Sequence, residues 1–129
     1  MTMDTVLFTR LKLIPQLALV DGRYAVYPDV FPQPPAVPVW PALRYTLAGG
    51  TIYPDLAGAG DDDGDDVRVQ IDAVATTSLA RRELWAAVRD AMQGLDPPAV
   101  LQAPPVLSYD GDTKTWRAMG DFILYSSSL

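Results

Sequence analysis

Cysteine and histidine are both absent from the 129 residues. Without cysteine the chain can build neither a disulfide framework nor a thiolate metal site, which suits a cytosolic assembly route. Without histidine it lacks the commonest general base and the commonest metal ligand. Together the two absences count against most hydrolytic, redox and zinc-dependent chemistries. Glutamate occurs once, at Glu83 beside Arg81 and Arg82, and Asp90 and Asp121 have no evident partner that would raise a pKa. There is no nucleophile elbow, Gly-rich phosphate loop or paired metal-ligand spacing. Ser126, Ser127 and Ser128 read as a C-terminal tail. No catalytic, cofactor-binding or metal residue is therefore assigned, and no cofactor is expected. No run approaches the ~20 apolar residues that span a bilayer, and no basic segment followed by an apolar run opens the chain. A soluble protein is expected, in a single domain large enough to bury roughly 65–70% of its unfolded surface.

What is present is unevenly distributed. The net charge is −6, and five of the negatives, Asp61, Asp62, Asp63, Asp65 and Asp66, stand in one DDDGDD run, leaving −1 for the rest. A nearly neutral body with one acidic loop is a poor nucleic-acid binder, because phosphate neutralisation needs clustered Lys and Arg. The run invites comparison with a calcium loop, since hard cations take carboxylate oxygens. With Asp61 at the first position, however, Asp66 falls where the turn requires glycine. The last ligand position falls on Asp72, inside a predicted strand. A solvated acidic loop spanning about 49–66 is the simpler reading, trimmed by a strand extension around Thr51 to Tyr53.

Periodicity supplies the rest of the fold. Val67, Val69, Ile71, Ala73 and Ala75 alternate with Arg68, Gln70, Asp72 and Thr76, predicting a half-buried strand with one break, at Val74. The period then changes, and Leu84, Val88, Ala91, Met92 and Leu95 form one stripe of a helix. Ser78 is its expected N-cap, Gly94 its C-terminal cap, and Pro97 and Pro98 prevent continuation. Residues 4–14 predict an opening helix that Pro15 breaks, with a further helical turn at 17–20 before the Asp21–Gly22 turn. Tyr24 to Tyr27 predicts a short strand. Residues 28–41 hold six of the twelve prolines and predict an extended connector. Val39 to Leu47 predicts the second strand, Pro97 to Pro105 another connector, and Val106–Tyr109 with Thr115–Ser127 a closing hairpin around Asp110, Gly111 and Asp112. Trp85 and Trp116 are expected in the core, and Trp40 in the core or at a contact. These elements make an α+β domain.

The order and wording of the segments resemble the tail-completion family of long-tailed bacteriophages and related prophages, which includes tail terminators and tail-to-head joining proteins. The resemblance is carried by Gly22 and Arg23 with Val26, Tyr27 and Pro28; by Pro32 and Gln33 with Pro38; by Val69, Gln70, Ile71 and Asp72; and by Ala80 through Gly94. It covers essentially the whole chain, with two departures: Pro15 shortens the first helix, and the DDDGDD loop is unusual. The resemblance implies a mixed, mainly antiparallel sheet of about four to five strands with two main helices on one face. It also implies a non-enzymatic virion protein of the tail or neck, assembled in the host cytoplasm. Such a protein forms a ring, usually a hexamer, on the last ring of the tail tube. It stops tube polymerisation and offers its other side to the head-completion connector (stopper) protein, while genome DNA passes through the lumen without specific binding and no membrane is involved. On that reading the five aspartates are a candidate interface or lumen loop. The strand face of Arg68, Gln70 and Asp72 is a candidate subunit contact. Two other classes remain. One is a small acidic protein-binding module of the immunity or secretion-accessory type, monomeric or dimeric. The other is an enzyme with an unexpected pocket of perturbed carboxylates or tyrosines.

Overall fold

The strand with the clearest alternation lies at the middle of the sheet. The computed structural model describes residues 3–20, 22–33, 36–50, 67–95 and 97–124. In it β5 (Val67–Ala75) runs antiparallel between β4 (Ala42–Gly50) and β8 (Thr115–Leu124). Val69, Ile71, Ala73 and Ala75 are fully buried on the side the helices cover. Val74, the break in the alternation, is buried too, on the opposite side, where it pairs with Ala42 and packs against Phe31. The strand is thus covered on both faces at its C-terminal end, and an apolar residue at the odd position is what that burial requires.

The main sheet has six strands, one or two more than expected. Its order is β3 (Val26–Pro28), β4, β5, β8, and then an outer edge divided between β6 (Val100–Leu101) and β7 (Val106–Asp110). Only β3 against β4 is parallel. The mixed, mainly antiparallel α+β architecture is the expected one. The extra strand is β6, two residues inside the second proline connector that pair with Ile123 and Phe122. Its setting is fixed by Ala99 N–H donating to Met92 O and Gln102 N–H donating to Asp121 O.

The opening helix α1 (Met3–Leu11) ends earlier than expected. Leu13 and Ile14 donate to carbonyls three residues back, and Pro15 has no N–H to give. Ile14 and Leu17 still enter the core. Leu19–Val20 is not a helical turn. It is β1, paired antiparallel with β2 (Arg23–Tyr24) across a turn in which Gly22 adopts φ 78°, a left-handed conformation that suits glycine. The predicted Tyr24–Tyr27 strand is consequently two short ones, β2 and β3. Strand β4 starts three residues after the predicted Val39, just past Pro41, and its register with β5 shifts between Leu47 and Gly50.

Helix α2 (Ser78–Gln93) lays Leu84, Trp85, Val88 and Met92 on the sheet, with Ala91 and Leu95 at its margin. Its N-cap is Thr77 and not Ser78: Thr77 has extended dihedrals and its hydroxyl accepts from Ala80 N–H at 3.0 Å. Gly94 closes the helix, its N–H donating to Asp90 O and Ala91 O. Arg10 ties α1 to this end. Its Nε donates to Ala91 O at 3.0 Å, a cation at a helix C-terminus where carbonyls are otherwise unsatisfied. Leu7, Leu11, Leu43, Ile71, Val88, Met92 and Phe122 fill the space between helices and sheet. In the closing hairpin the turn spans 111–114. Asp110 Oδ1 accepts from Asp112 N–H at 2.9 Å and Thr113 N–H at 3.4 Å, so the aspartate organises the turn from its first residue. Residues 51–66, including the expected extension at Thr51 to Tyr53, and the end of the last strand beyond Leu124 lie outside the described residues.

Candidate functional site

The face of the sheet turned away from the helices carries a charge ladder. Arg44 on β4 stands opposite Asp72 on β5, and Arg117 on β8 reaches the same carboxylate from the other side. Asp72 Oδ2 accepts from Arg44 Nη2 at 2.8 Å and from Arg117 Nη1 at 3.2 Å. Arg117 Nη2 also lies 3.8 Å from Asp110 Oδ2 on β7, so one ladder of charge crosses four strands. Phe31, from the first proline-marked connector, covers it. Its ring centroid is 5.2 Å from Arg44 Cζ and 5.8 Å from Arg117 Cζ, within cation–π range. Trp40 meets Phe31 edge-on at 5.2 Å, and Tyr27 at 6.1 Å.

The Asp72 side chain is only 5% exposed. Burial pushes its pKa above the ordinary carboxylate value, against the opposing pull of Arg117 and then Arg44. Its Oδ1 and the Arg117 Nε are buried without a hydrogen-bond partner among the described residues. A carboxylate held between two guanidinium groups under an aromatic ring is closed to substrate. Its effect is to lock three strands and the connector together. Asp110 is shifted the other way: backbone N–H donation from Asp112 and Thr113 lowers its pKa.

The three strand residues singled out by sequence occupy different environments. Arg68 is exposed and pairs with Asp121 at 3.1 Å, a surface ion pair. Gln70 is half-buried, with its Nε2 2.8 Å from Met119 Sδ, and it lines a cavity of about 110 Å³ with Pro104, Val106, Met119 and Asp121. Asp72 is enclosed as above. The loop aspartates Asp61, Asp62, Asp63, Asp65 and Asp66 lie outside the described residues. Trp85 is buried, whereas Trp116 is half-buried under Arg81 of α2 and against Tyr109.

Two apolar surfaces escaped the sequence reading. On β7, Val106, Leu107 and Tyr109 are 62%, 56% and 51% exposed. Leu107 and Tyr109 pair with Ala118 and Trp116, so they point to the helix side, beyond the reach of α2. At the opposite edge of the sheet, α1, the β1–β2 turn and β3 enclose a groove of about 840 Å³, lined by Phe8, Leu13, Tyr24, Val26 and Pro32 with Lys12 and Arg23. The signal for the first surface was available: Leu107 and Tyr109 share one face of a strand whose polar residues, Ser108 and Asp110, lie on the other. The groove gave none, because it depends on how α1 sits against the β1–β2 hairpin.

No group of three metal-binding side chains occurs among the described residues, and no helix there is long and apolar enough to cross a membrane. No curated protein matches the chain. A family model does: the one described as Tail completion protein gp17 matches residues 5–125, from α1 through the whole of β8. A match over nearly the full length decides the family, and the chain belongs to the Tail completion protein gp17 family, a phage tail-completion family.

Proposed function

We propose that this phage tail protein caps the tail tube as a homohexameric ring. In that position it ends tube polymerisation and presents the surface to which the head-completion connector (stopper) protein binds. The observation that carries the reading is the collinear family match over residues 5–125. It is supported by exposed apolar side chains at one edge of the sheet and an apolar groove at the other. A subunit that builds a closed ring needs two different, mutually complementary surfaces, because each contact is head to tail. The protein assembles in the host cytoplasm and resides in the tail or neck of the virion. Its partners are copies of itself, the tube protein and the connector, and genome DNA crosses the lumen unread.

The acidic run enters here as part of the proposal. Five aspartates per subunit repeated around a lumen repel DNA phosphates and ease passage of the genome. Turned outward, they dock onto a basic patch of the next ring. The exposed side of Arg68 and Gln70 is a further contact surface for a neighbour.

Adding the full chain to its purified tube protein and imaging the tube ends by electron microscopy tests the reading. Tubes of arrested length, each ending in a ring, are expected. Tubes that keep growing beside a protein that stays monomeric would instead favour the acidic binding module.

A further inference from the structure

We infer that the exposed β7 edge of one copy of the chain seats in the α1/β2–β3 groove of a second copy. The inference rests on the ring reading and names the surfaces that would make its contacts. The two patches match in chemistry. Leu107 and Tyr109 are exposed apolar side chains on β7, and the groove is walled by Phe8, Leu13, Tyr24 and Pro32. The charges at their margins are opposite. Lys12 and Arg23 line the groove, and neither carries an ion pair among the described residues. The turn that follows β7 carries Asp112, which is exposed to solvent.

Their placement agrees as well. β3 and β7 stand at the two ends of the sheet order. Leu107 and Tyr109 point to the side on which the helices lie, and the groove is bounded by one of those helices, α1. A patch at one edge and its complement at the other edge, on the same side of one sheet, repeat head to tail and cannot satisfy each other within one chain. Tyr109 supplies the large aromatic that typically anchors such a contact. Its ring is already held by Trp116 at a centroid distance of 4.8 Å, so little side-chain freedom is lost on docking.

Because the natural chain has no cysteine, engineered thiols report the contact directly. Leu13→Cys and Leu107→Cys place one thiol on each exposed patch. The two full-length single variants are mixed in a glutathione redox buffer, with tube protein present. A disulfide-linked pair of chains is expected from the mixture and from neither variant alone. In parallel, Arg23→Glu and Asp112→Lys are each expected to weaken self-association by up to about fivefold, and the chain carrying both is expected to recover it. Rings at tube ends without the mixed disulfide would overturn this pairing and leave the ring reading standing. The disulfide-linked pair without rings would sustain the pairing and sink the ring. Neither linkage nor rings would end both.

Discussion

The indole of Trp85 lies against the backbone of Gly120, so near that a Cβ at that position would sit 2.7 Å from Cη2 and 2.9 Å from Cζ2. Glycine in a strand interior usually weakens it; here it makes room for the largest side chain of α2, which also packs on Phe122 at 5.9 Å. Gly120→Ala is expected to cost about 1–3 kcal/mol through overpacking. Replacing Trp85 by Leu in the same chain should return part of that loss. A double-mutant cycle by thermal or urea unfolding measures the coupling, and strict additivity would refute the contact.

Asp72 and Asp110 should pull stability in opposite directions with pH. Burial raises the folded-state pKa of Asp72, so its contribution is complete below 3.8 and is lost as pH climbs through the raised value. Asp110 has a lowered pKa, so its contribution is present above 3.8 and disappears as pH falls below that. Asp72→Asn resembles the protonated form and should remove the loss above 3.8. Asp72→Ala, which leaves Arg44 without its carboxylate, Arg117 with Asp110 alone and a cavity beside them, should cost about 2–4 kcal/mol more than Asn does. Urea midpoints of the three chains between pH 3 and 8 decide the matter; a wild-type minus Asn difference that is flat with pH would refute the assignment.

Phe31 joins the connector to the second face of the sheet. Removing its ring in Phe31→Ala is expected to cost about 3–4 kcal/mol and to bare Arg44, Arg117 and Val74 to water. Hydrogen exchange should accelerate at Phe31, Ala42 and Val74 while the amides of α2 keep their protection. Uniform acceleration across the molecule would mean that the connector is not a separate unit.

The helix cap offers a sharper comparison. Thr77→Ala should lose about 1 kcal/mol, and Ser78→Ala, one residue further on, only a few tenths. Both residue types cap helices well, so the sequence could not choose between them. The extended dihedrals of Thr77 do. Equal losses at the two positions would restore Ser78 as the cap.

Replacing Asp61, Asp62, Asp63, Asp65 and Asp66 by Asn tests the lumen proposal. DNA delivery by assembled particles is expected to slow while ring formation persists. Delivery and assembly both unchanged would remove the run from the functional account.

The elements that were legible in advance are those whose periodicity is enforced by one covering layer. β5, α2 and β8 each turn an apolar face to the core, and β5 breaks its alternation only at Val74, where its other face is covered too. Legibility failed where the partner was distant in sequence. Leu19 and Val20 pair across a turn that carries no apolar alternation, and β6 exists only because the outer side of β8 recruits two residues between prolines. The same holds for the candidate site. Asp72 was visible as a polar strand residue, but its enclosure depends on Arg117, 45 positions away, and on Phe31 from a connector. Nothing local in the sequence encodes such a meeting.

The divided outer edge of β8 has a consequence for how the protein keeps company with its own kind. A single ten-residue edge strand would offer a continuous rail of unpaired amides and carbonyls, the template on which sheets zip into fibres. Here that rail is cut: two residues of β6, an interval containing Pro104 and Pro105, then five residues of β7. Proline supplies no donor to such a rail. A neighbour can therefore engage the side chains of β7 but cannot extend the hydrogen-bond ladder far. A shape that leaves side chains free for lateral recognition while refusing open-ended templating limits how far any edge-to-edge pairing can run.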